Sequence, residues 1–198
     1  MMRILFLGPP GSGKGTQTRM LAHRLGIPVI STGEMLRAAV REGTPLGGKA
    51  KAVMEAGELV PDDLMIQLIR DRLSEADARD GFILDGFPRT VDQAKALEHV
   101  LAETGNGLGL TGVINLEVPE PVLVDRLHRR SNEEHRSDDR PDTILERLKV
   151  YHSKTEPVIG FYRERGLLTD VDGLGDVDEI AQRVDRSLRL RQSAQGAA

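Results

Sequence analysis

Cysteine is absent from the 198 residues, which excludes disulfides and thiolate metal sites. The histidines at 23, 99, 128, 135 and 152 show no HxxH or HxxxH pairing, so no zinc site is expected either. No apolar run approaches the roughly 18 residues that a membrane span needs. No leader is expected, since the first strand-like run begins at the N-terminus. Basic residues are in no excess: a net charge of −4 gives no support to nucleic-acid binding, although local basic clusters are compatible with it. No Ser–His or His–Asp constellation points to acyl transfer. With 39% hydrophobic and 29% charged residues, the remaining reading is one ordinary globular domain with a real core, expected to be a cytoplasmic enzyme.

What is present is concentrated at Gly8-Pro9-Pro10-Gly11-Ser12-Gly13-Lys14-Gly15-Thr16. The stretch follows the apolar run Arg3-Ile4-Leu5-Phe6-Leu7 and opens a segment with helical periodicity at Met20, Leu21 and Leu25. Strand, glycine-rich turn, then helix with an embedded lysine is the architecture of a phosphate-binding loop. Glycines let successive backbone N–H groups converge on an anion, which then sits at the positive end of the helix dipole. A tight turn with a helix cap would need neither four glycines nor the lysine. The residue after Lys14 is Gly15, where such loops usually carry Ser or Thr, and Thr16 follows one position later.

Five apolar runs, Ile4–Leu7, Pro28–Ile30, Phe82–Leu84, Val113–Val118 and Leu168–Val171, read as buried parallel strands. Helical patterns separate them, as in a doubly wound α/β sheet. Between the second and third lies a long helical excursion. Ser31-Thr32-Gly33-Glu34 has capping-box spacing and predicts a helix over Thr32–Glu42. A second short helix closes at Gly57, and a third begins near Pro61-Asp62-Asp63. Residues 31–60 therefore read as a small lobe beside the core. Thr90–Glu103 and Pro121–Arg130 read as further helices, and Ser131–Asp142 as an exposed polar segment. A long helix carrying Ile144, Leu148 and Tyr151 is kinked or ended by Pro157. Asp176–Leu190 is the last helix, and 192–198 reads as a patternless, disordered tail.

Asp85-Gly86-Phe87-Pro88-Arg89-Thr90 is the second motif. An acid at the carboxyl end of a strand neighbouring the phosphate loop stands where Mg²⁺ or its waters would sit. Taken alone, Asp85 would read as a helix N-cap or turn residue. The third feature is a set of arginines, 37, 89, 126, 130, 136 and 147, whose planar forks suit phosphate oxygens; Arg19, Arg72 and Arg186 read as solvated. Many arginines and no evident general base fit phosphoryl transfer to a phosphate, whose oxygen is already an anionic nucleophile.

On these motifs the chain resembles the adenylate kinases over essentially its whole ordered length. GPPGSGKGT, ISTGEMLR (30–37), GELV (57–60), GFILDGFPRT with Gln93, DRLHRR (125–130), RSDD (136–139), ERL (146–148) and VDG (171–173) occur in that family's order. The resemblance implies a P-loop NTPase-type three-layer α/β fold. It is a single domain with a five-stranded parallel sheet, a nucleoside-monophosphate-binding lobe at 31–60 and a short lid at 130–136. It implies ATP on Gly11, Ser12, Gly13, Lys14, Gly15 and Thr16, with backbone near Gly175 touching the ATP base. AMP would contact Thr32, Arg37, Glu58, Leu59, Val60, Gly86, Phe87, Pro88, Arg89 and Gln93. Arg37 and Arg89 would grip its phosphate, and Gln93 would read the adenine edge. Arg130, Arg136 and Arg147 would close on the transferring phosphoryl group, and Asp85, with Thr16, would hold Mg²⁺, mostly through water. The partners implied are ATP, AMP and ADP, with no nucleic acid, no membrane and no zinc, and the chain is expected to act as a monomer. Longer family members carry a lid of several tens of residues; here only Ser131–His135 separates Arg130 from Arg136.

Two other readings stay open at the level of sequence. One is a kinase with a hydroxyl acceptor and Asp85 as base. The other is a P-loop GTPase, against which stands the absence of an Asn-Lys-x-Asp guanine reader. Gln93 itself has a structural alternative, because Thr90-Val91-Asp92-Gln93 is also a capping box.

Overall fold

In a computed structural model, which describes residues 1–104, 108–134, 138 and 140–196, the five apolar runs form one parallel sheet. The strands are β1 (Met2–Leu7), β2 (Val29–Ser31), β3 (Gly81–Asp85), β4 (Gly112–Glu117) and β5 (Leu168–Asp172), in the order β2-β3-β1-β4-β5. The helices are α1 (Lys14–Leu25), α2 (Thr32–Glu42), α3 (Pro45–Glu55), α4 (Asp62–Leu73), α5 (Val91–Thr104), α6 (Glu120–Glu134), α7 (Pro141–Val150), α8 (Glu156–Glu164) and α9 (Val177–Gly196).

Side chains on a strand alternate between faces, so an apolar run buried on both sides must be covered twice. Ile4 and Phe6 pack with Leu21 of α1 and Ile180, Val184 and Leu188 of α9. Leu5 and Leu7 pack on the other face with Leu97 of α5, Val158 and Tyr162 of α8, and Ile69 of α4. A smaller cluster, Leu123, Leu127, Ile144 and Leu148, joins α6 to α7.

The strand order places the crevice. The chain leaves β1 for β2 and β3 on one side and then crosses from β3 to β4 on the other, so the carboxyl end of β1 is a topological switch point. There the register sets Phe6 against Asp85, and Ser31 against Asp85, which puts the β3 carboxylate beside the loop that leaves β1.

Helices α2 and α3 pack as a pair whose close approach depends on one residue. A Cβ on Gly47 would lie 2.1 Å from the Ala39 carbonyl oxygen, so α3 rests directly on the α2 backbone. Its neighbour Gly48 is exposed, and a Cβ there would meet nothing within 4 Å. Helix propensity favours alanine over glycine at both sites by roughly 1 kcal/mol. At Gly47 the steric term is larger, since overpacking costs about 1–3 kcal/mol and here the obstacle is backbone. Gly48→Ala is therefore expected to raise the melting temperature slightly and Gly47→Ala to lower it by about 5 °C, read by calorimetry.

Three local expectations need correction. Ser31 stands at the α2 N-cap but makes no cap hydrogen bond; its hydroxyl donates to Asp85 Oδ2 at 3.4 Å, and Glu34 pairs with Arg19 at 3.2 Å. The capping box is absent because both of its side chains are taken by neighbours. Residues 131–142 are not uniformly exposed: α6 continues to Glu134, and Asp138 is 7% exposed. Finally, α9 runs through Gly196 rather than giving way to a disordered tail at 192; only residues 197–198 of that stretch lie outside the described ones. Pro157 acts as expected. The helix widens to a π turn at Tyr151–Thr155 and restarts as α8 with proline in its first turn, where no N–H is required.

Candidate active site

Gly8, Gly11 and Gly13 all have positive φ (138°, 81° and 93°), the region that side-chain-bearing residues rarely adopt, and Gly13 directly caps α1. The loop thus wraps the N-terminus of α1. Inside it the Lys14 ammonium donates to the carbonyl oxygens of Gly8 (2.6 Å) and Pro9 (2.8 Å) and to Ser12 Oγ (3.3 Å). All three donors are used on the loop itself. Burial pushes this ammonium down to about 8, and Asp85 only partly offsets that. Its neighbours Arg89, Arg147 and Arg130 push it the same way. The site is therefore a cradle of donors holding an excess of buried positive charge.

The cradle opens into a cleft of about 470 Å³, within the range that holds a small ligand. Its floor is Gly11–Thr16 and Asp85. One wall is Arg37 on α2 with Glu58, Leu59 and Val60 on the segment leading to α4. The β3–α5 turn supplies Gly86, Pro88, Arg89 and Gln93. The opposite wall is Arg126 and Arg130 on α6 and Arg147 on α7.

Arg89 donates from Nε to the Gly86 carbonyl at 2.8 Å, and its own carbonyl accepts from Thr155 Oγ1 at 3.0 Å. Burial, with Arg147 as the next cause, pushes its guanidinium down to about 10. Arg147 donates to the Asp138 carbonyl at 2.9 Å and pairs with its carboxylate at 3.3 Å; Arg37 approaches the same carboxylate at 3.9 Å. Asp138 therefore ties the α2 arginine to the α7 arginine across the cleft. Arg126 bridges two loops, donating to Ser12 O at 3.4 Å and Gly173 O at 3.1 Å.

Most of the anticipated residues converge here, and a few stand elsewhere. Thr32 is buried and donates to the Gly86 carbonyl at 2.9 Å, which braces the turn rather than the cavity. Phe87 is 1% exposed and belongs to the core. Gly175 lies in the β5–α9 loop, facing Glu179, and is not among the cleft-lining residues. Arg136, and with it part of the short lid at 130–136, lies outside the described residues. Arg19 lines the rim of the cleft as well as pairing with Glu34. Sequence reasoning missed Asp138, Tyr151 and Thr155; only the RSDD motif carried any signal for the first. The Gln93 N–H does donate to Thr90 Oγ1 (3.1 Å), as in a cap, but its side chain turns away from the reciprocal bond.

A carboxylate, Asp85, stands beside the glycine loop, which matters for metal chemistry. Among the described residues, no group of three or more His, Cys, Asp or Glu could hold a metal ion by itself. Mg²⁺ takes one or two carboxylates together with waters and substrate phosphates, so Asp85 and the Thr16 hydroxyl suit an ion that arrives with a polyphosphate.

The sheet order, the glycine loop and the arginine-lined cleft define a P-loop kinase-type α/β protein. A family model described as adenylate kinase matches residues 6–167. The chain is 52% identical over 188 residues to an adenylate kinase of Leptospira biflexa, covering 95% of this chain and all of that one. An adenylate kinase of Xylella fastidiosa is 52% identical over 183 residues (92% and 97% covered). One of Thermus thermophilus is 51% identical over 187 residues (94% and 97% covered). The chain belongs to the adenylate kinase family and is a phosphotransferase. Among its described residues no helix is long and apolar enough to cross a membrane.

Proposed function

We propose that the protein catalyses reversible, Mg²⁺-dependent transfer of the γ-phosphoryl group of ATP to AMP, giving two ADP. The observation that carries this reading is a cleft with the glycine loop and Lys14 on its floor and arginines on both walls. Two polyanions must meet end to end, and separate sets of cations can offset their repulsion. ATP would rest its phosphates on Gly11–Thr16, with Arg130 alongside and backbone near Gly175 toward its base. AMP would lie between the 31–60 lobe and the core, its phosphate on Arg37 and Arg89 and its base near Glu58–Val60 and Gln93.

In the transfer, the bond from the γ-phosphorus to the β,γ-bridging oxygen breaks and its electron pair leaves on the β-phosphate of the new ADP. An oxygen of the AMP phosphate forms the new bond. That oxygen is already anionic, so no base is needed. Lys14, Arg89, Arg130, Arg136 and Arg147 would stabilise the charge spread over the transferring group. Magnesium bound with ATP, near Asp85 and Thr16, would neutralise part of the same charge. Arg147 and Arg37 would be kept in place between turnovers by Asp138, and the 130–136 lid would exclude water that otherwise intercepts the phosphoryl group. The reading needs no residue from a second chain, and the protein would act as a monomer.

A coupled assay supplying ATP with AMP, CMP, UMP or shikimate as acceptor tests the reading. Turnover is expected with AMP far above the others. Equal rates with all the monophosphates, or transfer only to the alcohol, would overturn it.

Lys14 adds a pH signature. Burial holds its ammonium down to about 8, so above that pH Lys14 has given up its proton. A bound triphosphate favours the charged form and raises the value again. ATP binding at about pH 9, where the terminal phosphate of free ATP is fully ionised, is therefore expected to take up most of a proton, and at about pH 7.5 much less, because Lys14 is then mostly charged in both states. Calorimetry in two buffers of different ionisation enthalpy reads the difference, and no uptake at the higher pH would contradict the assignment.

A further inference from the structure

We propose that Asp62, which does not line the cleft, sets the base preference of the acceptor site by fixing which way round the Gln93 carboxamide stands. This rests on the proposed function, in which Gln93 faces the base of AMP. Gln93 is 2% exposed, and its carboxamide is bracketed by two groups that can each play one part only. Its Oε1 accepts from the Arg89 backbone N–H at 2.7 Å, and a backbone N–H can only donate. Its Nε2 donates to Asp62 Oδ1 at 2.7 Å, and an ionised carboxylate can only accept. Turning the carboxamide over would set NH₂ against N–H and oxygen against carboxylate, losing both bonds at once.

Asp62 is itself anchored. Its Oδ2 accepts from Thr90 Oγ1 at 2.8 Å, and that hydroxyl accepts the Gln93 N–H at 3.1 Å. It is also the first residue of α4, where the helix dipole favours a negative charge. A ring of hydrogen bonds therefore links α4 to the start of α5.

The consequence is chemical. A carboxamide offers two N–H donors and two lone pairs at oxygen, and the bracket takes one of each. One donor and one acceptor are left in a fixed order. A 6-aminopurine presents an amino donor at C6 and an acceptor at N1. A 6-oxopurine presents an acceptor at C6 and an N–H at N1. Both can pair with a carboxamide, but only in opposite orientations. Locking the orientation locks the choice, and Asp62 is the charged half of the lock.

Asp62→Asn tests this, because an asparagine of nearly the same shape can turn either its oxygen or its NH₂ toward Gln93. The quantity read is the ratio of kcat/KM for AMP to that for IMP, which cancels any loss of folded protein within a preparation. Wild type is expected to favour AMP strongly. In Asp62→Asn the ratio is expected to fall about ten- to a hundredfold, the weight of a charge-assisted hydrogen bond. Thr90→Val, which removes the anchor of Asp62 Oδ2, should move it the same way by less. Gln93→Ala separates the role of Asp62 from that of Gln93. If it lowers the ratio while Asp62→Asn leaves it at the wild-type value, or lowers activity with both nucleotides equally, the role given to Asp62 is wrong and that of Gln93 stands. If wild type does not prefer AMP, or Gln93→Ala keeps the preference, the role of Gln93 falls and that of Asp62 with it.

Discussion

Arg89→Ala is expected to lower kcat by about three orders of magnitude, the upper range for loss of one preorganised donor to a transition state, while leaving the melting temperature unchanged or raised. The two halves of that statement have separate causes. The guanidinium stands in the cleft with Arg147 and Arg37 among its charged neighbours, and burial pushes it down to about 10 even before a phosphate arrives. Removing a buried cation relieves that desolvation cost. Nor does truncation strand a partner: the Gly86 carbonyl that accepts from Arg89 Nε also accepts from Thr32 Oγ1 at 2.9 Å. The backbone bonds of residue 89, to Gln93 and Thr155, survive the change. Steady-state kinetics and a thermal melt on the same preparation check both halves. Near-normal turnover would remove Arg89 from the phosphate clamp.

Lys14→Met is the second large effect, with kcat expected to fall about a hundred- to a thousandfold. Here the protein without nucleotide does lose contacts, since the ammonium bridges Gly8 O, Pro9 O and Ser12 Oγ. Pro9 O keeps the Ser12 N–H at 3.2 Å, so the loop retains one of its own ties. The variant should also abolish the proton uptake on ATP binding at high pH. A slow variant that still takes up the proton would show that another group titrates there.

Local pattern carried much of this molecule and stopped where partners are distant in sequence. Alternation within Ile4-Leu5-Phe6-Leu7 was enough to place two helical layers on one sheet, because every second side chain must find its own cover. The conformation of the Gly8–Thr16 loop was legible because closely spaced glycines before a helix free the backbone to turn tightly, and Gly8, Gly11 and Gly13 do take positive φ. Asp85 was legible from its place at a strand end, and the register sets it beside Phe6. Asp138 was not legible. It sits in a stretch without apolar periodicity, and it is buried because Arg37, about a hundred residues earlier in the chain, and Arg147 need a counter-charge. The capping box at Ser31 failed for the same kind of reason, a tertiary partner displacing a local one. Gln93 is the mixed case: its backbone follows the capping signal, while its side chain answers to Asp62, 31 positions away.

The most direct test of the two-nucleotide cleft is calorimetric titration with a bisubstrate analogue, two adenosines joined through a chain of phosphates. One molecule is expected to bind per chain and to exclude both ATP and AMP, since its ends would occupy the cradle and the lobe side together. Two molecules per chain, or AMP still binding once the analogue has saturated the protein, would contradict a single cleft in which the two phosphates meet.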